Sequence, residues 1–136
     1  MTTNSSQKRL RFDRTEMIEL DQKQCRVEVS LGFAERTIRK SVVGELAGLG
    51  PLKAAAAAAL LAVEEAVEGR VKCQIADLDH VNALGKDLIA LLVDVQFEGK
   101  EVQLFGSCRV QGSEMDTAAK AALNATNRFF ELALRD

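Results

Sequence analysis

The sequence predicts an α+β fold made of two βββα units, with antiparallel sheets, helices packed on one side of them, and a pseudo-two-fold axis relating the units. Three observations predict this fold. Apolar and polar residues alternate over residues 24–33, as in a half-buried strand. Alanine-rich stretches at residues 54–59 and 118–125 favour helices. A shift of 62 positions lays the first half on the second, so that Val29 falls on Leu91 and Gly44 on Gly106.

Length and charge limit the classes of protein to consider. The chain has 136 residues, which suits one domain with its own core. The net charge is -2, so no overall field attracts nucleic acid or an anionic membrane, and neither is expected as a partner. Three cysteines and one histidine predict neither a disulfide framework nor a metal site, and no cofactor is expected.

The domain organisation follows from the repeat. We expect a disordered tail over residues 1–10, since these are polar and basic, and a single domain over residues 11–136. The two repeats would span residues 11–69 and 71–134. No apolar signal segment or 20-residue apolar run is found, and this predicts a cytoplasmic protein.

The strands of the first unit are predicted from short alternating patterns. Residues 11–20 predict a strand anchored by Phe12, Ile18 and Leu20. Residues 24–33 predict a clearer second strand. A turn at residues 35–36 would lead into a third strand over residues 37–43.

The first helix is predicted over residues 52–67. Pro51 suits its first position and Gly69 its end. The residues that recur at helical spacing mark its buried side: Leu52, Ala56, Ala59, Leu60, Val63 and Val67.

The second unit repeats the order. Strands are predicted over residues 71–79, 88–97 and 102–110, with a turn at residues 82–86 and a tight hairpin at residues 98–100. The middle strand is apolar on both sides, which predicts that both of its faces are covered. A helix over residues 114–134 follows. Its predicted buried stripe is Met115, Ala118, Ala119, Ala122, Thr126, Phe129, Phe130 and Ala133.

The two helix starts are the candidate ligand-binding site. Helix N-termini present free N–H groups and a partial positive charge, which suit a carboxylate, and glycine lets a ligand approach the backbone. The alternative is that these glycines only shape the turns. The candidate residues are Gly48, Gly50, Pro51 and Ala54 in the first unit, and Gly112, Ser113 and Asp116 in the second.

Other reactive groups form no recognisable catalytic arrangement. His80 lies near Asp77 and Asp79, but alternating aspartates on a strand are typical of a solvated face. The three cysteines at positions 25, 73 and 108 fall in predicted strands, where a buried thiol is common. A nucleophile would need a base beside it. We therefore expect no enzyme activity.

Two features of the sequence admit a nucleic-acid interpretation. Lys8, Arg9, Arg11 and Arg14 could form a phosphate-binding patch, although Asp13 and Glu16 lie among them. The order helix, three strands, helix over residues 52–134 also fits a double-stranded-RNA-binding domain. Such a domain grips phosphates with lysines at the start of its last helix. Here that start is acidic, so RNA is not the expected ligand.

Short motifs resemble a known family. Asn124 and Asn127 within an alanine-rich helix, preceded by Gly106 and Gly112, resemble the last helix of the C-terminal regulatory domain of 2-isopropylmalate synthase and its citramalate synthase relatives. Residues 48–54 resemble the Gly-x-Gly-Pro turn of that domain's first unit. The resemblance spans about residues 11–134 and includes the βββα duplication, but the family's catalytic barrel has no counterpart here.

The resemblance implies a homodimer that binds an amino acid or a related keto acid near the helix starts. Lys53 stands where the family has an aspartate, and Ser113 and Asp116 align with its second acidic pair. The expected function is therefore a non-enzymatic regulatory module that binds a small carboxylate metabolite, with an interaction or scaffold domain without a small ligand as the alternative.

Overall fold

The computed structural model describes residues 10–133, apart from the side chains of residues 128, 132 and 133. Six strands and two helices follow one another in two runs of three strands and a helix. They are β1 (Arg11–Glu19), β2 (Gln24–Phe33), β3 (Arg36–Glu45), α1 (Gly50–Ala66), β4 (Val71–Ala83), β5 (Lys86–Phe97), β6 (Lys100–Arg109) and α2 (Glu114–Ala133).

The strands form two separate three-stranded antiparallel sheets, in the orders β1-β2-β3 and β4-β5-β6. The first helix packs on β2 and β3 and also contacts β4. The second helix packs on β5 and β6 and also contacts β1. Each helix therefore covers its own sheet and touches the first strand of the other unit. The predicted α+β fold of duplicated βββα units is confirmed.

One hydrophobic core joins the units. It contains the inward residues of β2 and β5, the buried sides of both helices, and Leu10. The alanines of α1 from Ala54 to Ala59 are buried at every position except Ala57. Because alanine has a short side chain, α1 can pack closely against several neighbours at once. Leu10 is only 2% exposed, although the sequence assigned it to the N-terminal tail. The rest of that predicted tail, residues 1–9, lies outside the described residues.

A β-bulge in β1 makes two of its three predicted anchors wrong. The pairing of β1 with β2 shifts between Phe12 and Arg14. Asp13 is the extra residue of the bulge, and it reverses the alternation. Thr15 and Met17 therefore follow Phe12 on the inner face of the sheet. Ile18 and Leu20 are consequently exposed, Ile18 by 59%. The following hairpin also turns one residue earlier than predicted, at Ala34 and Glu35, which both have positive φ.

The prediction that both faces of β5 are covered is wrong within the described residues. Ile89, Leu91, Val93 and Val95 are buried beneath the helices. The opposite side of the strand is only half-buried. Beside it on β6, Phe105 is 66% exposed.

A single offset of 62 does not relate the whole of the two units. The bulge in β1 lies at Asp13 and that in β4 at Ala76, which are 63 positions apart. The buried residues of α2 also fall 63 positions after buried residues of the α1 segment, as from Ala54 to Thr117. The helices and first strands are therefore related by 63 positions, while β2 and β5 keep the offset of 62.

The third strands are displaced further because their hairpins differ. The turn at Ala34 and Glu35 corresponds to a turn at Glu98 and Gly99, 64 positions later. A turn that comes two residues late slides an antiparallel partner by four residues. Gly106 therefore lies opposite Leu91, whereas Lys40 lies opposite the equivalent Val29. Gly44 and Gly106 match in sequence but are not equivalent in the fold.

Candidate ligand-binding cleft

Two junctions join the units, and their structures differ. The first junction is formed by α1, β3 and β4. The second junction is formed by α2, β6 and β1. At each junction, a helix of one unit meets the first strand of the other beside an unpaired sheet edge.

The first junction contains an open cleft of about 510 Å³, a volume within the range of small-molecule sites. One wall is the end of β3 around Val42–Glu45, and the other is β4 around Cys73–Asp77. The helix supplies the floor. Most of the lining is apolar, with contributions from Val42, Ala57, Leu60, Leu61 and Ile75.

Charged groups stand at the edges of this cleft. Lys53 lines it from the first turn of α1, and Glu45 and Asp77 line it from the two strands. All three are exposed. Lys53 forms no ion pair with any residue from 10 to 133. Its ammonium group is therefore available to a ligand at the end of an apolar cleft.

Glycine brings the start of α1 close to the wall of the cleft. A Cβ at Gly50 would lie 1.9 Å from the carbonyl oxygen of Glu45, so the helix can start here only without a side chain. A Cβ at Gly44 would lie 3.0 Å from the Cβ of Ala54. Pro51 occupies the first turn, which contains no acidic residue and has no side-chain cap. The helix start therefore keeps its partial positive charge beside Lys53.

Cys73 lies in the cleft wall as a neutral thiol. Burial and the nearby carboxylate of Glu64 raise the pKa of its thiol to about 12. The same carboxylate accepts a hydrogen bond from the backbone N–H of Cys73 at 2.8 Å, which ties α1 to β4. A thiol that remains protonated at neutral pH is a poor nucleophile.

The second junction is bridged by side-chain contacts. The Thr15 hydroxyl donates a hydrogen bond to the Asp116 carboxylate at 2.6 Å, joining β1 to α2. The Lys120 ammonium lies 5.3 Å from the centre of the Phe12 ring, a cation–π contact. The Asn124 amide donates to the carbonyl of Ser107 at 2.8 Å, joining α2 to β6.

The offset of 63 shows which substitutions open the first junction. Asp116 corresponds to Lys53 and Lys120 to Ala57. Two helix side chains reach across the second junction. At the first junction their positions hold the ammonium side chain of Lys53 and the methyl group of Ala57.

The partners on the strands change as well. Thr15 corresponds to Leu78, and Phe12 to Ile75. No hydrogen-bonding pair or cation–π pair remains at these positions of the first junction. The cleft therefore occupies the space where the second junction has its cross-links.

The predicted site residues are divided between the two junctions. Gly50 and Ala54 line the cleft. Gly48 has φ +61° with nothing near its missing side chain, so it serves the turn. Gly112 is a turn residue of the same kind, with φ +73°.

The remaining predicted residues of the second helix start make contacts within the chain. The Ser113 hydroxyl accepts the backbone N–H of Asp116 at 3.2 Å, as an N-cap does. Asp116 is bonded to Thr15. Neither is among the residues that line the cleft.

The other reactive groups lie apart from the cleft or are engaged. His80 Nδ1 lies 3.7 Å from the Glu114 carboxylate. Cys25 is fully buried and Cys108 is half-buried. Within residues 10–133 no group of three His, Cys, Asp or Glu side chains could hold a metal ion. Neither helix in this part of the chain is long and apolar enough to cross a membrane.

No protein-family model matches the chain, and no curated protein matches it either.

Proposed function

We propose that this protein is a non-enzymatic, cytoplasmic module of regulatory type that binds a small carboxylate metabolite in the cleft of the first junction. The observation that carries the proposal is Lys53, which lies beside an apolar cleft and has no ion pair within residues 10–133. The equivalent position at the second junction holds Asp116, which is bonded to Thr15. The resemblance to the regulatory domain of 2-isopropylmalate synthase supports the same class of ligand.

The lining suits an aliphatic amino acid or its keto acid. Lys53 would donate to the carboxylate, helped by the helix start. The apolar floor around Leu61 and Ile75 would contact an aliphatic side chain. Glu45 and Asp77 could accept hydrogen bonds from an ammonium group, which favours the amino acid over the keto acid.

A thermal-shift screen followed by calorimetry tests the proposal. The probes are aliphatic amino acids, the matching 2-oxo acids, and the matching amines without a carboxylate. A ligand at 100 times its Kd should stabilise the protein by about 2.7 kcal/mol. We expect binding of carboxylates but not of the amines. A screen in which no carboxylate stabilises the protein would contradict the proposal.

Two variants then locate the site. Lys53→Gln should weaken carboxylate binding at least tenfold, whereas Lys86→Gln, on the hairpin between β4 and β5, should leave it unchanged. Ala57→Phe should fill the cleft and abolish binding, with Ala57→Ser as the matched control. If Lys53→Gln and Ala57→Phe bind as the wild type does, the ligand lies elsewhere.

Lys53→Asp tests the resemblance to an amino-acid site. An aspartate would restore the residue type of the family's turn. We expect this variant to lose the carboxylate ligands and to gain binding of the matching amines, which calorimetry measures; no binding of any amine would contradict this expectation.

The alternative function is a protein-interaction domain with no small ligand. The exposed apolar side of the second sheet favours it, since Phe105 has no covering partner within the described residues. This alternative would be supported if no compound in the screen stabilised the protein and the protein nevertheless associated with itself.

A further inference from the structure

The outer face of the second sheet is apolar at its centre. We define this face by the outward residues of each strand. They are Lys72, Gln74, Asp77, Asp79 and Val81 on β4; Leu88, Ala90, Leu92, Asp94 and Gln96 on β5; and Glu101, Gln103, Phe105, Ser107 and Arg109 on β6. Phe105 is 66% exposed, and Leu88, Ala90 and Leu92 are half-buried.

A projection and a hollow lie side by side on this face. Phe105 is the projection. The hollow, of about 150 Å³, lies on the opposite side of β5 from β6, between β5 and β4. It is lined by Asp77, Leu78, Asp79, Ala90, Leu91 and Leu92, with Phe105 at its margin. A cavity of about 150 Å³ in a protein can hold a benzene molecule, so a phenyl ring fits this volume.

We propose that a second copy of this chain packs on this face, related by a two-fold axis parallel to β5. This inference does not require a ligand in the cleft, although Asp77 lines both the cleft and the hollow. An isologous contact requires one surface to be complementary to itself, and a projection beside a matching hollow meets that requirement. With this axis, β5 lies over β5 of the second copy and β4 lies over its β6.

The register then places each Phe105 at the hollow. Asp77, Leu92 and Phe105 form one row across the sheet. The two-fold axis puts Phe105 of the second copy over the Asp77 end of this row, where the hollow opens. The two rings would be buried between the sheets, one on each side of the paired β5 strands, and the sheets themselves would be about 10 Å apart.

Charges at the ends of the face fit the same arrangement. Lys72, Gln96 and Glu101 form another row, so Lys72 would lie over Glu101 of the second copy. Arg109 of the second copy would lie over Val81, next to Asp79 in the adjacent row. Asp94 disfavours this arrangement, because it lies on β5 and its carboxylate would face that of Asp94 of the second copy. It is hydrogen-bonded to Gln103 at 2.8 Å.

Sedimentation equilibrium of the full chain over a wide concentration range tests the interface. The face is small for a stable dimer, so we expect dissociation at about micromolar concentration. Phe105→Ser should weaken the dimer at least tenfold. Ile18→Ser is the matched control, because Ile18 is 59% exposed on the outer face of the other sheet. A chain that is monomeric at millimolar concentration, or equal loss in both variants, would overturn the proposal.

Charge exchange tests the axis itself without disturbing the core. Lys72→Glu alone and Glu101→Lys alone should each weaken the dimer, because like charges would then face each other. The double variant should restore it, and Asp94→Asn should strengthen it. Circular dichroism of each variant shows that the fold is intact. If the double variant is as weak as the singles, the second copy does not pack about this axis.

Discussion

The two junctions between the units are built from equivalent elements, but one of them is cross-linked and the other contains a cleft. At the second junction, Asp116 bonds to Thr15 and Lys120 lies over Phe12, so the junction is cross-linked. At the first junction, the equivalent positions hold Lys53, Leu78, Ala57 and Ile75, and a cleft of about 510 Å³ remains. The cleft therefore accompanies two differences between the units: changed side chains on the helix and the first strand, and a third strand shifted in register.

The largest expected difference concerns the thiol in the wall of the open junction. At pH 8, a pKa of about 12 leaves Cys73 about a thousandfold less ionised than a thiol with the ordinary value of 9.0. A variant with Cys25→Ala and Cys108→Ala isolates this thiol. Its alkylation by iodoacetamide should be slower in the folded than in the unfolded state by about tenfold or more, because the greater nucleophilicity of a high-pKa thiolate offsets only part of the lower ionisation.

The same thiol affects stability at alkaline pH. The pKa of this thiol is higher in the folded than in the unfolded state. Its contribution to the free energy of unfolding is therefore complete below pH 9.0. Between pH 9.0 and about 12 only the unfolded thiol ionises, so this contribution is lost as the pH rises. Cys73→Val should lack this part of the alkaline destabilisation. Equal pH profiles for the two proteins would show that Cys73 is not shielded in the cleft wall.

Gly50→Ala should destabilise the protein by about 3 kcal/mol or more, because its Cβ would lie 1.9 Å from the backbone oxygen of Glu45. Gly48→Ala is the control. It meets no neighbour and should cost about 1 kcal/mol from its positive φ alone. Urea unfolding measures both. Similar losses for the two variants would mean that the close approach of α1 to β3 is not required.

Asp116→Ala should destabilise the protein by about 2 kcal/mol, since it leaves Thr15 without its partner across the second junction. Thr15→Val should cost less, and the double variant should cost little more than Asp116→Ala alone. A double-mutant cycle from chemical denaturation measures the coupling. Strictly additive losses would show that the bond does not link β1 to α2.

Lys53→Gln should have the smallest effect on stability, within about 0.5 kcal/mol, because Lys53 is exposed and has no ion pair in the described part of the chain. The comparison with Asp116→Ala separates a bridging residue from one available to a ligand. A loss of 2 kcal/mol or more would show that Lys53 also holds its junction together.

The element order was predictable because it depends on local patterns. Alternation, alanine-rich runs and Pro51 identify the strands and helices from nearby residues alone. The register was harder to predict, since it depends on two bulges and on a hairpin that turns two residues later in the second unit. A bulge at Asp13 leaves no compositional mark, so the alternation alone predicts the wrong face for Ile18 and Leu20.

The candidate site was predicted only in part. The helix start predicts Gly50 and Ala54, and Lys53 departs from the turn of the family that the sequence resembles. Leu61 and Ile75 were missed because the cleft depends on what faces each residue across the junction. Comparing the halves at an offset of 63 would have revealed the signal: Ala57 against Lys120, and Lys53 against Asp116.

The hydrogen bond from Cys73 to Glu64 has a consequence for how the molecule comes apart. It fastens the helix of one half to the opening strand of the other, and the bond between Thr15 and Asp116 does the same in the reverse direction. Neither unit can separate from the other without exposing the apolar side of the remaining unit. The chain should therefore melt cooperatively, in a single transition, and a fragment cut at Gly69 should not hold its shape alone.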